Sequence, residues 1–410
     1  MKRYQQQLTS LAGLLLVTSC VTSVAAAGDW RQFRGNNANS IAEGENLPQE
    51  LSGETIAWKA ELPGRGLCGP VVIGERVFVT ASSGYAQDRL SVLAFHTNSG
   101  EQLWRRQFVA TGRTVCHEKM CNATPTLASD GIRLFAFYSS NDLICLDLDG
   151  NLQWYRGLGS EFPNASNSLG MASSPIVVDG VVVVQVESDA EAFACGIDAE
   201  TGVTRWQLDR PRAANWTSPT ILPAKEGRPT LALLQSSKGV SAIDVATGTE
   251  VWTFTDGAST IPSSTVIDGQ VVIPSNGLTV LQPSADGTEF TSVWTASNLR
   301  PGTASPIAVD GMALSMNSAG VLTAADITNG ERLWQARLKG PFSGTPVVAG
   351  SYLYAFNEGG NAFVVKLSRE NGEIVSELDL TETILCSPAA ADNALYIRSD
   401  AHLWKFARPE

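Results

Sequence analysis

The chain has 410 residues, 43% of them hydrophobic and 17% charged, with a formal net charge of −12. That balance excludes a disordered chain and argues against a nucleic-acid backbone or an anionic bilayer as partner. Glycine (37) and proline (19) stand at ordinary levels, so no collagen-like or low-complexity architecture is called for.

Residues 1–27 have the pattern of an export segment, with a basic start at Lys2-Arg3, an apolar stretch from Leu8 to Val17 and small residues at Ala25-Ala26-Ala27. Two cuts are open. Cleavage after Ala27 would leave Gly28 first, whereas Val17-Thr18-Ser19-Cys20 resembles a bacterial lipobox in which Cys20 becomes the lipidated residue. Either way the protein is expected to be exported, to the periplasm or, through Cys20, to the outer membrane. No later apolar run approaches the ~18 residues of a membrane-spanning helix. Residues 28–55 form a lead-in, whose Trp30 and Phe33 are expected to pack on the side or base of the main fold.

From residue 56 a single pattern recurs. Asp198 ends a short apolar run, Thr201-Gly202 makes a tight turn, and Trp206 comes four residues after the glycine. The pattern returns with Asp244, Gly248 and Trp252, and with Asp326, Gly330 and Trp334. His96 takes the aspartate's place before Trp104, and a shortened copy runs from Cys145 through Asp147 to Trp154. The tryptophans Trp58, Trp104, Trp154, Trp206, Trp252, Trp294 and Trp334 lie 46, 50, 52, 46, 42 and 40 residues apart. Between them a second marker recurs, a small residue before proline opening a β-branched run. It occurs at Gly69-Pro70, Thr124-Pro125, Ser174-Pro175, Ser218-Pro219, Ser305-Pro306, Thr345-Pro346 and Ser387-Pro388, with Ser263-Ser264 lacking the proline. Asp-Gly pairs at 179–180, 268–269 and 310–311 supply the positive φ of two-residue hairpins.

Eight such units of four short strands predict an all-β, eight-bladed β-propeller over residues 56–406, with 407–410 as a tail. Ile56–Ala60 is an outer strand with no blade before it, and Pro388–Phe406 supplies three strands and then ends. Together they make one blade and close the ring, which removes exposed sheet edges. Two units depart from the pattern. An insertion around Pro283–Gly287 displaces one turn, and near Asn371-Gly372 the tryptophan is missing, with Val375 or Ser376 in its region.

Apart from Cys20 there are six cysteines, an even number that favours disulfides in an exported chain. Cys116 and Cys121 share a loop. Cys68 and Cys386 stand at the first and last blades, where a bridge would lock the seam. Cys145 and Cys195 occupy corresponding strands and are expected as buried thiols.

The repeat resembles the tryptophan-docking motif of quinoprotein dehydrogenases, whose eight blades carry pyrroloquinoline quinone (PQQ) over the central channel. It is similar also to the PQQ-like repeats of BamB-like proteins, scaffold lipoproteins of outer-membrane β-barrel assembly. The resemblance covers about residues 28–406. Enzymes of the first group commonly carry an adjacent cysteine pair, a calcium held by acidic and amide side chains, and an aspartate base. Here no two cysteines adjoin, and Asp147, Asp198, Asp244 and Asp326 belong to the repeat turn, where aspartate accepts backbone N–H bonds. The resemblance therefore implies a non-catalytic scaffold without cofactor or metal, monomeric, that binds envelope proteins or a small polar ligand and no nucleic acid. The alternatives are a PQQ-dependent oxidoreductase of an alcohol or sugar, with PQQ and calcium, and a carbohydrate- or peptide-binding propeller.

Loops that drop onto the channel mouth are the candidate binding site. They carry Arg65, His117, Glu118, Asn164, Asn167, Asn215, Trp216, Arg300 and Phe342, an aromatic and polar set suited to a small polar ligand or a peptide. The plainer alternative is a solvated rim with Trp216 packed on its neighbour. Gly64-Arg65-Gly66-Leu67-Cys68-Gly69 matches a phosphate-loop spacing, but Pro70 and a strand come next instead of a helix. Three scattered histidines, His96, His117 and His402, argue against a histidine metal site.

Overall fold

Val, Ile and Leu alternate with turn dipeptides along the chain, and they fold into eight separate sheets. The computed structural model describes residues 28–166 and 168–409; the export segment with Cys20, and Asn167, lie outside them. Blade 1 runs through Val71–Ile73, Arg76–Ser83, Arg89–His96 and Gln102–Val109, each strand antiparallel to the last. Blades 2 to 6 repeat this order up to Arg332–Arg337. Blade 7 begins at Val347–Ala349. Blade 8 takes Ala389–Ala391, Ala394–Arg398 and His402–Phe406 from the end of the chain and Ile56–Glu61 from its beginning. Ile56 pairs with Phe406 and Lys59 with Trp404, so the expected closure is present.

Most inner strands are buried along their whole length, as Ile307–Val309 is, whereas outer strands alternate, as in Arg332–Arg337, where Trp334 faces inward. The core lies between blades. One cluster joins Val183, Ala194 and Trp206 of blade 3 to Ile221, Leu234 and Ile243 of blade 4. Six repeat tryptophans donate their indole N–H to a carbonyl in the next blade at 2.7–3.1 Å, as Trp58 does to Thr97 and Trp206 to Val245. The ring then lies flat on the glycine of that turn. At Gly248, whose φ is +74°, a Cβ would stand 2.5 Å from the Trp206 ring, so glycine is required twice over.

The repeat aspartate does what its turn demands. Asp198 accepts the Glu200 and Thr201 N–H groups at 3.1 and 2.8 Å, and Asp244 those of Ala246 and Thr247. Where His96 replaces it, Nδ1 accepts the Asn98 N–H at 3.1 Å, the same bond made to an imidazole nitrogen instead of a carboxylate oxygen.

Both departures have structural causes. The 283–287 insertion places Gly287 against Arg228, so Trp252 loses its dock: its indole N–H has no partner and its ring meets Phe290 at 5.1 Å. In blade 7 the register puts Ser376 opposite Val364, the tryptophan's place, and Ser376 Oγ accepts the Leu51 N–H at 2.9 Å. The lead-in fills that gap.

The lead-in also does more than pack on the base. Trp30 bonds Val72 of blade 1, the Arg31 carbonyl accepts from Ser129 of blade 2, and Gln32 accepts from Val177 of blade 3. Buried Arg34 donates to Thr220 Oγ1 and the Ser264 carbonyl, and Ile41–Ala42 joins blade 7 as a fifth, parallel strand. The segment crosses one end of the axial channel and closes it.

Two expectations need correction. All six described cysteines are free thiols. Cys116 Sγ faces the Met120 carbonyl at 3.6 Å instead of Cys121. At the seam the buried Arg398 comes between Cys68 and Cys386: its Nη1 reaches Cys68 Sγ at 3.4 Å, and Cys386 Sγ donates to its carbonyl at 3.2 Å. Cys145 and Cys195 are buried. Blade 2 also shifts the proline marker, since its inner strand starts at Ala128 and the residue in register with Ser174 is Thr126, not Thr124.

Candidate functional site

The residue two places before each inner strand builds a ring around the axis. The Gly69 N–H donates to Thr126 Oγ1 at 2.8 Å, Thr126 N–H to Ser174 Oγ at 3.0 Å, and Ser174 N–H to Ser218 Oγ at 2.9 Å. Ser218 then donates to Ser263, Ser263 to Ser305, Ser305 to Thr345 and Thr345 to Ser387, at 2.8–3.0 Å. Seven hydroxyls thus stitch each blade to the next. The ring breaks at Gly69, where a Cβ would stand 2.9 Å from the Ser387 carbonyl, so the seam has no room for an eighth side chain.

Above this ring lies a cavity of about 490 Å³, with Phe33 of the lead-in among its walls. Its collar is apolar: Leu67, Met120, Leu169, Trp216, Ile261 and Leu385. Its charges are few. Lys119 reaches from the blade 1–2 loop to Glu358 of blade 7, Nζ to Oε2 2.9 Å, and Ser343 Oγ donates to Glu358 Oε1 at 2.8 Å. The hydrogen bond that Lys119 donates to Glu358 raises the Lys119 pKa and keeps the ammonium charged. Cys386 also lines the wall, but burial pushes its thiol up to about 12, which makes it a poor nucleophile.

Of the residues expected at the mouth, His117 and Trp216 line the cavity. Trp216 is held at both ends, its indole N–H on the Gly170 carbonyl and its backbone N–H on Thr260, each at 2.8 Å. The others serve the frame. Arg65 is spent on the Glu118 and Met120 carbonyls and on Asp400, which fastens the loop bearing His117, and Glu118 takes part through its backbone alone. Asn215 is buried, with Nδ2 on the Gln235 carbonyl, beside a buried Glu187–Arg210 pair at 2.8 Å whose carboxyl is raised by burial. Arg300 turns back to the Ser297 carbonyl, Asn164 bonds Glu191 through its backbone, and Phe342 packs on Phe363. Missed in the sequence were Phe33, Lys119, Glu358, the apolar collar and the hydroxyl ring. The signal for the ring was present, because a Ser or Thr recurred in nearly every copy of the strand-opening marker.

The sequence model of the family outer membrane protein assembly factor BamB matches residues 91–318 and 318–408. The chain is a member of the BamB family. Among solved structures, BamB from Moraxella catarrhalis superposes with a TM-score of 0.64 at 19% identity, over 87% of this chain and 98% of that one. Quinohemoprotein alcohol dehydrogenase from Comamonas testosteroni gives 0.69 at 14% identity, over 94% of this chain and 82% of that one. At these identities both likenesses concern the fold. A curated relative, polyvinylalcohol dehydrogenase of Sphingopyxis sp. (strain 113P3), is 26% identical over 239 residues, 48% of this chain. The match spans 35% of that protein's length. This BamB-family member thus shares its frame with an assembly factor and with a dehydrogenase alike.

Proposed function

We propose that this BamB-family propeller is a non-catalytic binding scaffold of the bacterial cell envelope, engaging other envelope proteins through the mouth end of the ring. The carrying observation is a group of exposed apolar side chains at that end. Tyr85 projects fully from the second-to-third-strand turn of blade 1, while Val109 and Val115 (69% and 54% exposed) stand on the same blade's outer strand and exit loop. Leu169 and Ile261 stand on the corresponding loops of blades 2 and 4. These are five of the twelve large apolar side chains exposed among the described residues, and they stand around one mouth, whereas the others, Ile132 and Val203 among them, are spread over the opposite turns and the outer strands; a local grouping of this kind suits a protein contact surface.

The cavity's chemistry supports the same reading. PQQ is a tricarboxylate, and the collar offers a single ammonium, Lys119, already paired with Glu358. Among the described residues no group of three or more His, Cys, Asp or Glu is placed to hold a metal ion. Both features favour a cavity used without the cofactor and its calcium. The competing reading, an oxidoreductase of an alcohol or sugar, draws on the match to polyvinylalcohol dehydrogenase. Adding PQQ and calcium to the purified protein with an artificial electron acceptor separates the two; saturable dye reduction would replace the scaffold reading. For the scaffold, cross-linking in envelope extracts is expected to capture a stoichiometric partner, and the double variant Tyr85→Ala, Val115→Asp to lose it while melting as the parent does. Capture that survives both substitutions would move the contact surface elsewhere.

A further inference from the structure

Each of the seven ring hydroxyls is used as an acceptor by a backbone N–H of the neighbouring blade. A hydroxyl that accepts still has a proton to donate. No acceptor within the described chain takes any of these seven protons, although other serines and threonines donate freely, as Ser129 does to the Arg133 carbonyl. The seven residues are all at least nine-tenths buried, and all of them line the cavity. Buried donors without acceptors are costly, and here they converge on one axis.

We infer that the cavity is a binding site for a small apolar molecule with an uncharged carbonyl oxygen, such as a ketone, ester or amide, its oxygen turned down onto the hydroxyl ring and its hydrocarbon body held by the collar. Each ring hydroxyl has its proton unused and one of its two lone pairs already taken by a backbone N–H, which favours an acceptor head over an amine. Leu67, Met120, Leu169, Trp216, Ile261 and Leu385 supply the apolar wall. The one ammonium at the mouth is neutralised by Glu358, so a buried carboxylate would find no counter-charge. Phe33 and the lead-in close the far end, which limits the ligand to one that enters and leaves by the mouth. This site is distinct from the exposed apolar side chains of Tyr85 and Val115, neither of which lines the cavity.

Calorimetric titration with 2-octanone, octanoate and octylammonium tests the assignment on the full-length protein. The ketone is expected to bind saturably at one site, octanoate roughly tenfold more weakly, and octylammonium not at all, despite the protein's net charge of −12. Ala172→Phe, which fills the collar without touching the ring, is expected to abolish ketone binding with an unchanged melting temperature. Ser305→Ala, which removes one ring hydroxyl, is expected to weaken it roughly fivefold. Absence of saturable ketone binding, binding undiminished in Ala172→Phe, or octylammonium bound as tightly as the ketone would each overturn the site. Octanoate bound more tightly than the ketone would overturn the uncharged head. The Tyr85→Ala, Val115→Asp protein is expected to bind the ketone normally, so the outcome here stands apart from that of partner capture.

Discussion

Two tryptophans at matching positions of the repeat differ in their dock. Trp206 donates to the Val245 carbonyl at 2.8 Å, whereas the Trp252 indole N–H is buried without a partner. Phenylalanine at each position separates packing from hydrogen bonding. Trp206→Phe leaves a buried carbonyl unpaired and is expected to cost about 2–3 kcal/mol, while Trp252→Phe removes an already unpaired donor and should cost about 1 kcal/mol. Chemical denaturation of the two variants reads the difference directly. The spacing of the tryptophans was legible in the sequence because every copy answers the same packing problem. The missing dock of Trp252 was legible only as an insertion, since nothing local records that Gly287 turns to Arg228.

The closing blade depends on a cluster that no repeat pattern encodes. Glu382, in the loop entering blade 8, accepts from Lys59 Nζ at 2.7 Å, from Ser399 Oγ, and lies 2.9 Å from His402 Nδ1. Burial alone would raise its carboxyl, but these hydrogen bonds outweigh burial and hold it at about 2. Because the folded value lies below the ordinary ~4.3 of glutamate, the stability it confers is complete above that value and is lost as pH falls towards 2. Lys59 belongs to the N-terminal strand and His402 to its C-terminal partner, so acid should loosen the seam first. Thermal melting between pH 5 and pH 2 is expected to fall steeply for the parent and less steeply for Glu382→Gln; parallel curves would remove the cluster from the acid limb. At this scale the sequence was partly legible. Strand markers and the Asp-Gly turns identify the blades, because they are local requirements of φ and periodicity. The mouth was less legible, because Arg65 and Arg300 were chosen for polarity and in the structure both donate to backbone carbonyls, that of Glu118 among them. Loops have no period from which such partners can be counted.

Across the whole molecule, each blade buries one face against each neighbour, and the arrangement is complete only when blade 8 has its fourth strand. Removing residues 28–61 would leave His402–Phe406 as an open edge carrying Leu403, Trp404 and Phe406. Such an edge pairs with other chains, so light scattering is expected to report larger species than for the full chain. Removing 28–50 alone retains the Ile56–Glu61 strand and should lower the melting temperature, through loss of Trp30, Arg34 and Leu47, without changing the size. The closure itself was legible from an orphan strand at one end and a three-stranded remnant at the other. The route of the lead-in across six inner strands was not, since its contacts depend on an axis that exists only after the ring has formed.

The pairing of Ile56–Glu61 with His402–Phe406 also sets an order of events during synthesis. The strand that emerges early has no partner until some 340 further residues have been made, an interval of roughly 20–70 s at ordinary ribosomal rates. Through all of it the nascent chain carries an unclaimed ribbon, and the lead-in before it has no axis to cross. Until then the polymer has not locked, and only release of the last strand commits the protein to its final shape.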